Sequence, residues 1–451
     1  MEQNDLREIV ENLAYLADAS DSAMIRNIMV GLHPADIAEI LYHLDDEHRN
    51  YIFNLLDAET ASEVINEMDQ VSREDLLEEL PEDRISEIVD EMESDDATDL
   101  VSELPDEMAQ KVLDRIDRED SEEVKELLRH EDDTAGGIMA KELIAVHPHH
   151  TVDEVIQIIR DKADEVSDLY FVYVVDQFDR LLGVVHLKDL LLAKGDQKIA
   201  QIMDRDIISV STEMDQEHVA NIARRYDLVS IPVVDKLGRL TGRITFDDVA
   251  DVMEEEASED IQRMAGITTE EEFRETSIVR ISQVRLPWLL IGFVGELGSA
   301  YVLHHFEASL NQILVAAFFI PIIMAMGGNA GIQSSTIMVR GMATGEIGLY
   351  DVKRRLFREF LVSLLNGSLC GLLLFTVVSF WLKMPKFGII LASVLLLVIL
   401  NASFVGAIVP VILKKINIDP AIATGPFITT SNDVLGLLIY LGTITIFISY
   451  L

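Results

Sequence analysis

Asp433 is a lone carboxylate in the last long apolar stretch of the chain. Gly327-Gly328-Asn329-Ala330-Gly331-Ile332-Gln333-Ser334-Ser335 is a polar interruption in another. An ionisable group inside a bilayer is costly, so it faces a bundle interior or a water-filled path. Glycines and amides beside a helix let backbone and polar atoms line such a path, where lipid would not tolerate them. The pattern implies a route for ions, with Asp433 as the group that meets them. Thr429 and Asn432 supply neighbouring oxygens, and Gly328, Asn329 and Gln333 are the candidate lining residues of the second break. Gly425 and Pro426 distort the start of the last span, and Asp433 follows roughly two turns later. Glu296, in the first apolar stretch, is a weaker candidate.

The elements that must position these residues are five apolar stretches, at about 286–306, 312–339, 357–382, 387–413 and 422–450. Each is long enough to span ~30 Å of hydrocarbon. Arg280, Arg285, Arg340, Lys353, Arg354, Arg355, Arg358, Lys414 and Lys415 fall on one side, and only Lys383 and Lys386 on the other. The positive-inside rule makes the first side cytoplasmic, with the N-terminus inside and Leu451 outside. The acidic start Met-Glu-Gln-Asn-Asp has no apolar core, so no cleaved signal is expected.

Charge divides the 451 residues sharply. From Ile281 onward there are ten basic and seven acidic residues, against 26 and 72 before it. So acidic a region is a poor partner for nucleic acid or anionic lipid, and its natural counterparts are cations. The single cysteine, Cys370, lies in an apolar helix and leaves no disulfide frame or thiolate metal site.

Two repeats organise that acidic region. Leu32, Leu44, Leu56, Met68, Leu80, Met92, Leu104, Ile116 and Leu128 recur every twelve residues, most of them followed by helix-start residues. One unit is a short helix and a turn, and stacked pairs predict an α-solenoid over 1–130. Over 131–253, Val174-Val175-Asp176 with Leu182-Gly183 recurs 59 residues later as Val233-Val234-Asp235 with Thr241-Gly242, and β-branched runs alternate with helical ones. This tandem resembles a pair of cystathionine-β-synthase (CBS) domains, opened by Thr134-Ala135-Gly136-Gly137-Ile138-Met139. Gly242-Arg243-Ile244-Thr245-Phe246-Asp247-Asp248 matches the stretch that holds an adenine nucleotide's ribose in many such modules. That implies ATP at Thr245 and Asp248, whereas His186 replaces the hydroxyl in the first half. A pair that binds nothing and only dimerises is the other reading. A charged connector helix is expected over 254–284, and the pore domain over 285–451.

Taken together, the acidic helical domain, CBS pair, connector and five spans resemble the MgtE family of magnesium channels and transporters. Its most specific segments here are Arg285-Leu286-Pro287-Trp288, Gly327 to Ser334, Val339-Arg340-Gly341 and Asp419-Pro420-Ala421. The resemblance implies a multi-domain fold: an α-solenoid, an α+β CBS tandem, a connector helix and an all-α membrane domain. It implies a homodimer in an inner membrane, no enzymatic activity, Asp433 as the acid that binds Mg²⁺, and uptake closed by cytosolic Mg²⁺. It further implies which acids bridge: Glu63, Asp95 and Asp99 in the helical domain, Glu217, Asp227 and Asp248 in the CBS pair, and Glu256, Glu259 and Asp260 on the connector, facing Asp419. The same oxygens accept Mn²⁺ or Co²⁺. Two other readings compete. A CBS-regulated anion channel would want basic groups in the path. A membrane-anchored nucleotide sensor would not need Asp433.

Overall fold

A computed structural model describes residues 3–163, 166, 169–265, 278–344, 347, 351–416, 418–423 and 425–448. The chain divides into two units, Met1–Met253 and Glu254–Leu451. Part of the expected connector, 266–277, lies outside the described residues.

The first unit opens with ten short helices. After α1 (Gln3–Asp18) and α2 (Ser22–Met29) come α3 (Pro34–Tyr42), α4 (Asp46–Phe53), α5 (Ala58–Asn66), α6 (Gln70–Glu79), α7 (Glu82–Val89), α8 (Ser94–Glu103), α9 (Asp106–Leu113) and α10 (Arg118–Leu127). Helices this short do not persist alone in water. Local caps start them: Asp45, Asp57 and Asp69 each accept from the backbone N–H three residues on, and Pro81 and Pro105 occupy the same position in α7 and α9. The twelve-residue apolar marker immediately precedes each of these caps and is buried at Leu44, Leu56, Met68, Leu80 and Leu104. Packing then joins alternate helices, α3 on α5, α5 on α7 and α7 on α9. Pairs about thirty residues apart clamp the stack, among them Arg73 with Glu103 and Lys111 Nζ with Glu82 at 2.8 Å.

The rest of that unit holds two three-stranded sheets, β1-β2-β3 and β4-β5-β6. In the first, β2 (Phe171–Val175) lies parallel to β1 (Ala145–Val146) and antiparallel to β3 (Leu181–His186). In the second, β5 (Ser230–Val234) pairs in the same way with β4 (Val210–Ser211) and β6 (Leu240–Thr245). Register shifts at Val174/Val175 and Val233/Val234 repeat the 59-residue offset in three dimensions. The halves meet where the Tyr173 hydroxyl and Ser230 Oγ lie 3.0 Å apart. Helix α14 (Phe246–Ala265) spans the division between the units.

Among the described residues of the second unit, five helices are long and apolar enough to cross a membrane. They belong to α15 (Ile278–His305), α17 (Ile320–Ala343), α18 (Val352–Trp381), α19 (Pro385–Lys415) and α20 (Pro426–Phe447), with the short α16 (Glu307–Gln312) between the first two. The third helix extends past its apolar stretch to Val352, taking in the basic run Lys353–Arg358. Helix α19 is the centre of the bundle, packing on α17, α18 and α20, whereas α15 leans chiefly on α20. Phe387, Leu391, Val394, Val398, Tyr440 and Ile444 fill the core.

Candidate functional site

Helix α20 begins at Pro426 behind Gly425, as the breaking residues require, and Thr429 donates its hydroxyl back to the Gly425 carbonyl at 3.4 Å. Asp433 therefore sits two turns inside the span, half-buried. Its carboxyl is in hydrogen-bonding contact with that of Glu296 on α15. The crossing that brings them together is tight. A Cβ on Gly295 would fall 1.6 Å from Thr430 Cγ2, so only glycine fits there.

Asn432 points elsewhere. It is buried against Gly331 of α17, where a Cβ would stand 2.0 Å from its amide nitrogen. Both of its amide atoms lack a hydrogen-bond partner among the described residues. Gly331 thus serves close packing of three helices, since a Cβ on Gly406 of α19 would lie 2.3 Å from the Gly331 carbonyl oxygen. Gly328 is buried with open space where a side chain would go. Asn329 and Gln333 are exposed, and line a cavity of about 490 Å³ between α17, α18 and α19. Glu359 faces that cavity, held by the Ser334 hydroxyl at 2.6 Å and with Arg355 at 3.9 Å. Within one chain, the residues expected to line a single path thus occupy two places: Asp433 beside Glu296, and Asn329 with Gln333 beside Glu359.

A second constellation lies at the start of the same unit. Arg263 on α14 forms ion pairs with both Glu259 and Asp419. Burial, reinforced by the charge of Asp419, raises the carboxyl of Asp260 above its ordinary value. Glu256, Glu259 and Asp260 are half-buried, and Asp419 also caps the turn at Pro420–Ala423 by accepting from the Ala421 N–H at 2.8 Å.

Another group of acids lies in the first unit. Asp95 is buried at 8% exposure, and loss of water together with the charges of Asp248 and Asp96 pushes its carboxyl well above the usual range. Burial and Asp248 raise Asp96 to about 7. Burial raises Asp248 to about 6, although it accepts hydrogen bonds from Thr245 N–H at 2.8 Å and Thr245 Oγ1 at 2.6 Å. Asp99, on the solvent-facing edge, is also raised to about 6 by loss of water, then by Glu103, Asp132 and Asp248. Asp247 and Glu93 complete the cluster, Glu93 lying 3.5 Å from the Arg243 guanidinium. Crowding of this kind raises carboxylates wherever no cation intervenes.

Glu63 is exposed on α5, Glu217 half-buried on α13 (Gln216–Tyr226), and Asp227 exposed, ending that helix in the left-handed region at φ 52°. Asp227 lines a cleft of about 670 Å³ with Tyr170, Phe171, His186, Lys188 and Tyr226. Thr245, by contrast, spends its hydroxyl on Asp247 and Asp248. The open cleft is thus on the half where His186 argued against one. Sequence reasoning missed Asp96, Asp247, Arg263 and Glu359. A doubled Asp95-Asp96 and a lone arginine in an acidic helix were the available signals, and Glu359 is hidden behind a basic run.

Comparison with known proteins agrees along the chain. The family described as MgtE, divalent cation transporter, matches residues 320–443, the MgtE intracellular N domain 32–133, and the CBS domain 135–196 and 199–255. A magnesium transporter MgtE from Thermus thermophilus is 38% identical over 71% of this chain and 71% of its own. This chain belongs to the MgtE family. The MgtE of Bacillus subtilis is 35% identical over 72% of each chain. Relatives in the family carry transporter names rather than enzyme names. Among solved structures, the cytosolic domain of the Mg²⁺ channel MgtE in complex with ATP is 35% identical, with a TM-score of 0.52, covering 54% of this chain and 99% of that one. The soluble part of a magnesium transporter is 31% identical at the same TM-score of 0.52, covering 56% and 99%.

Proposed function

We propose that this MgtE-family member is a dimeric Mg²⁺ uptake channel of an inner membrane, with its N-terminus cytoplasmic and its C-terminus outside, closed by cytosolic Mg²⁺. The observation that carries the reading is Asp433, a carboxylate two turns inside a 21-residue apolar span of a chain from this transporter family. Two copies around a dimer axis supply a pair of such acids. Thr429, one turn before Asp433 on the same helix, adds a neutral oxygen, and Mg²⁺ is held through its water shell, which it sheds reluctantly. Mn²⁺ and Co²⁺ are the natural competitors. The domains we assign are 1–130, 131–253, 254–284 and 285–451.

Closure is assigned to the acids. Mg²⁺ binds the Asp95–Asp96–Asp99–Asp247–Asp248 cluster and the carboxylates beside Asp419, and so favours the compact, closed arrangement. Arg263, which already pairs with Asp419, screens that second set in part. In proteoliposomes, flux of Mg²⁺ is expected to fall as the ion is raised on the cytoplasmic side. A flux indifferent to internal Mg²⁺ rejects the gating and leaves the pore standing.

ATP is placed in the cleft of Tyr170, Phe171, His186 and Lys188 rather than at Thr245 and Asp248. Exposed aromatic faces there suit a purine ring, and Lys188 suits phosphate charge, while Thr245 and Asp248 are already bonded to each other. Lys188→Ala should weaken ATP binding about tenfold, the scale of one charge-assisted contact, and Thr245→Val should not. Isothermal titration of the full chain reads both, and the opposite pattern returns the nucleotide to Thr245.

A further inference from the structure

Glu296 lies inside the first candidate membrane-spanning helix, next to Gly295, where α15 crosses close to α20. A Cβ on Gly295 would collide with Thr430 there, and one turn on, a Cβ on Gly298 would stand 3.5 Å from Val434 Cγ2, an ordinary contact. The two glycines flank Glu296, and Thr430 and Val434 flank Asp433, so the crossing brings both carboxyls to one point. They touch each other, and no lysine or arginine pairs with either among the described residues. On α15, one turn beyond Glu296, the Ser299 hydroxyl is buried and lacks a partner among the described residues.

A carboxylate within a span is already expensive, and a second against it adds repulsion unless a proton or a cation is shared between them. Close packing explains Gly295 but not the choice of glutamate beside it. A divalent cation accounts for the pair, because its charge relieves the repulsion between neighbouring carboxylates. We propose that Glu296 is a second carboxylate of the ion path, acting with Asp433 on the divalent cation. The inference rests on the reading of Asp433 as the pore acid. Asp433 is the shorter arm from the central bundle. Glu296 reaches in from the peripheral helix, and sets how tightly a hydrated Mg²⁺ is held and how strongly monovalent ions are rejected.

The test is Mg²⁺ flux into proteoliposomes of the full chain, measured across Mg²⁺ concentrations with and without excess K⁺, for wild type, Glu296→Gln, Glu296→Asp and Asp433→Asn. Glu296→Gln keeps the size and hydrogen-bonding capacity of the side chain and removes only its charge. It should raise the half-saturating Mg²⁺ about tenfold with maximal flux retained, because affinity for hard cations follows the number of charged ligands. K⁺ should compete visibly only in that variant. Glu296→Asp keeps the charge but shortens the arm, and should shift half-saturation about threefold. It carries the test if the glutamine variant does not fold. Unchanged half-saturation in the variants, with flux abolished in Asp433→Asn, overturns the role of Glu296 and leaves the pore reading intact. Wild-type flux in Asp433→Asn overturns both.

Discussion

Asp433→Asn is expected to abolish Mg²⁺ flux, to below about one hundredth of wild type. Asparagine fills the same space and keeps a carbonyl oxygen, so packing of α20 against α15 and α17 is preserved and only charge is lost. Inside a span, that charge offsets most of the energy the ion forfeits on leaving bulk water. Losing about 3 kcal/mol at the barrier corresponds to roughly a hundredfold in rate. The measurement is uptake by proteoliposomes at fixed protein, with Asn329→Ala as a contrast. Asn329 is exposed to the other cavity, so its loss should lower flux by only a few fold. Equal flux through Asp433→Asn and wild type would end the pore assignment.

Neutralising Asp95 and Asp248 together is expected to uncouple the proposed channel from cytosolic Mg²⁺. The two acids lie on different segments, α8 and α14, and the charge of Asp248 raises the proton affinity of both Asp95 and Asp96. A cation between them removes that repulsion, and its binding energy becomes preference for the closed form. The half-inhibiting Mg²⁺ of Asp95→Asn/Asp248→Asn should rise about tenfold, near 1.4 kcal/mol of lost coupling, while maximal flux persists. The cluster has a pH signature as well. A carboxyl whose folded pKa exceeds its unfolded value binds more protons when folded, so stability rises as pH falls between the two values. For Asp96 that window runs from about 7 down to the usual 3.8, and for Asp248 from about 6. Without metal, the full chain should therefore melt higher at pH 5.5 than at pH 7.5, by roughly 3 °C after allowance for solvent screening. Mg²⁺ at pH 7.5 should raise the midpoint at least as much, and the double variant should lose both effects. A wild-type midpoint that falls on acidification across this window would count against the cluster.

Much of the architecture was legible because its causes are local. The twelve-residue marker works because the residue after it, Asp45, Asp57, Asp69, Pro81 or Pro105, starts the next helix without help from distant parts of the chain. The 59-residue offset survives as two matching register shifts, since strand pairing repeats whenever the β-branched runs do. Hydropathy located the five spans, and the third helix runs on beyond its apolar stretch through a basic turn. The sites were less legible. In Asp95-Asp96 both side chains prove to face the cluster, which a choice between neighbours along one helix could not anticipate. Glu296 was visible but carried no weight until α20 lay across it, and Arg263 was overlooked in the acid-rich helix where it bridges Glu259 and Asp419.

The sequence by itself determined the elements and their environment: solenoid helices from caps and spacing, sheets from alternation, spans from apolar length, and a strong demand for cations from unbalanced charge. These are sums over neighbouring residues, and need no knowledge of what lies across the fold. Only the tertiary structure decided which carboxylates meet: Asp433 with Glu296, and Asp95 and Asp96 with Asp248. The energy of a charge depends on distance and on lost water, and both are set by contacts between segments far apart in the chain.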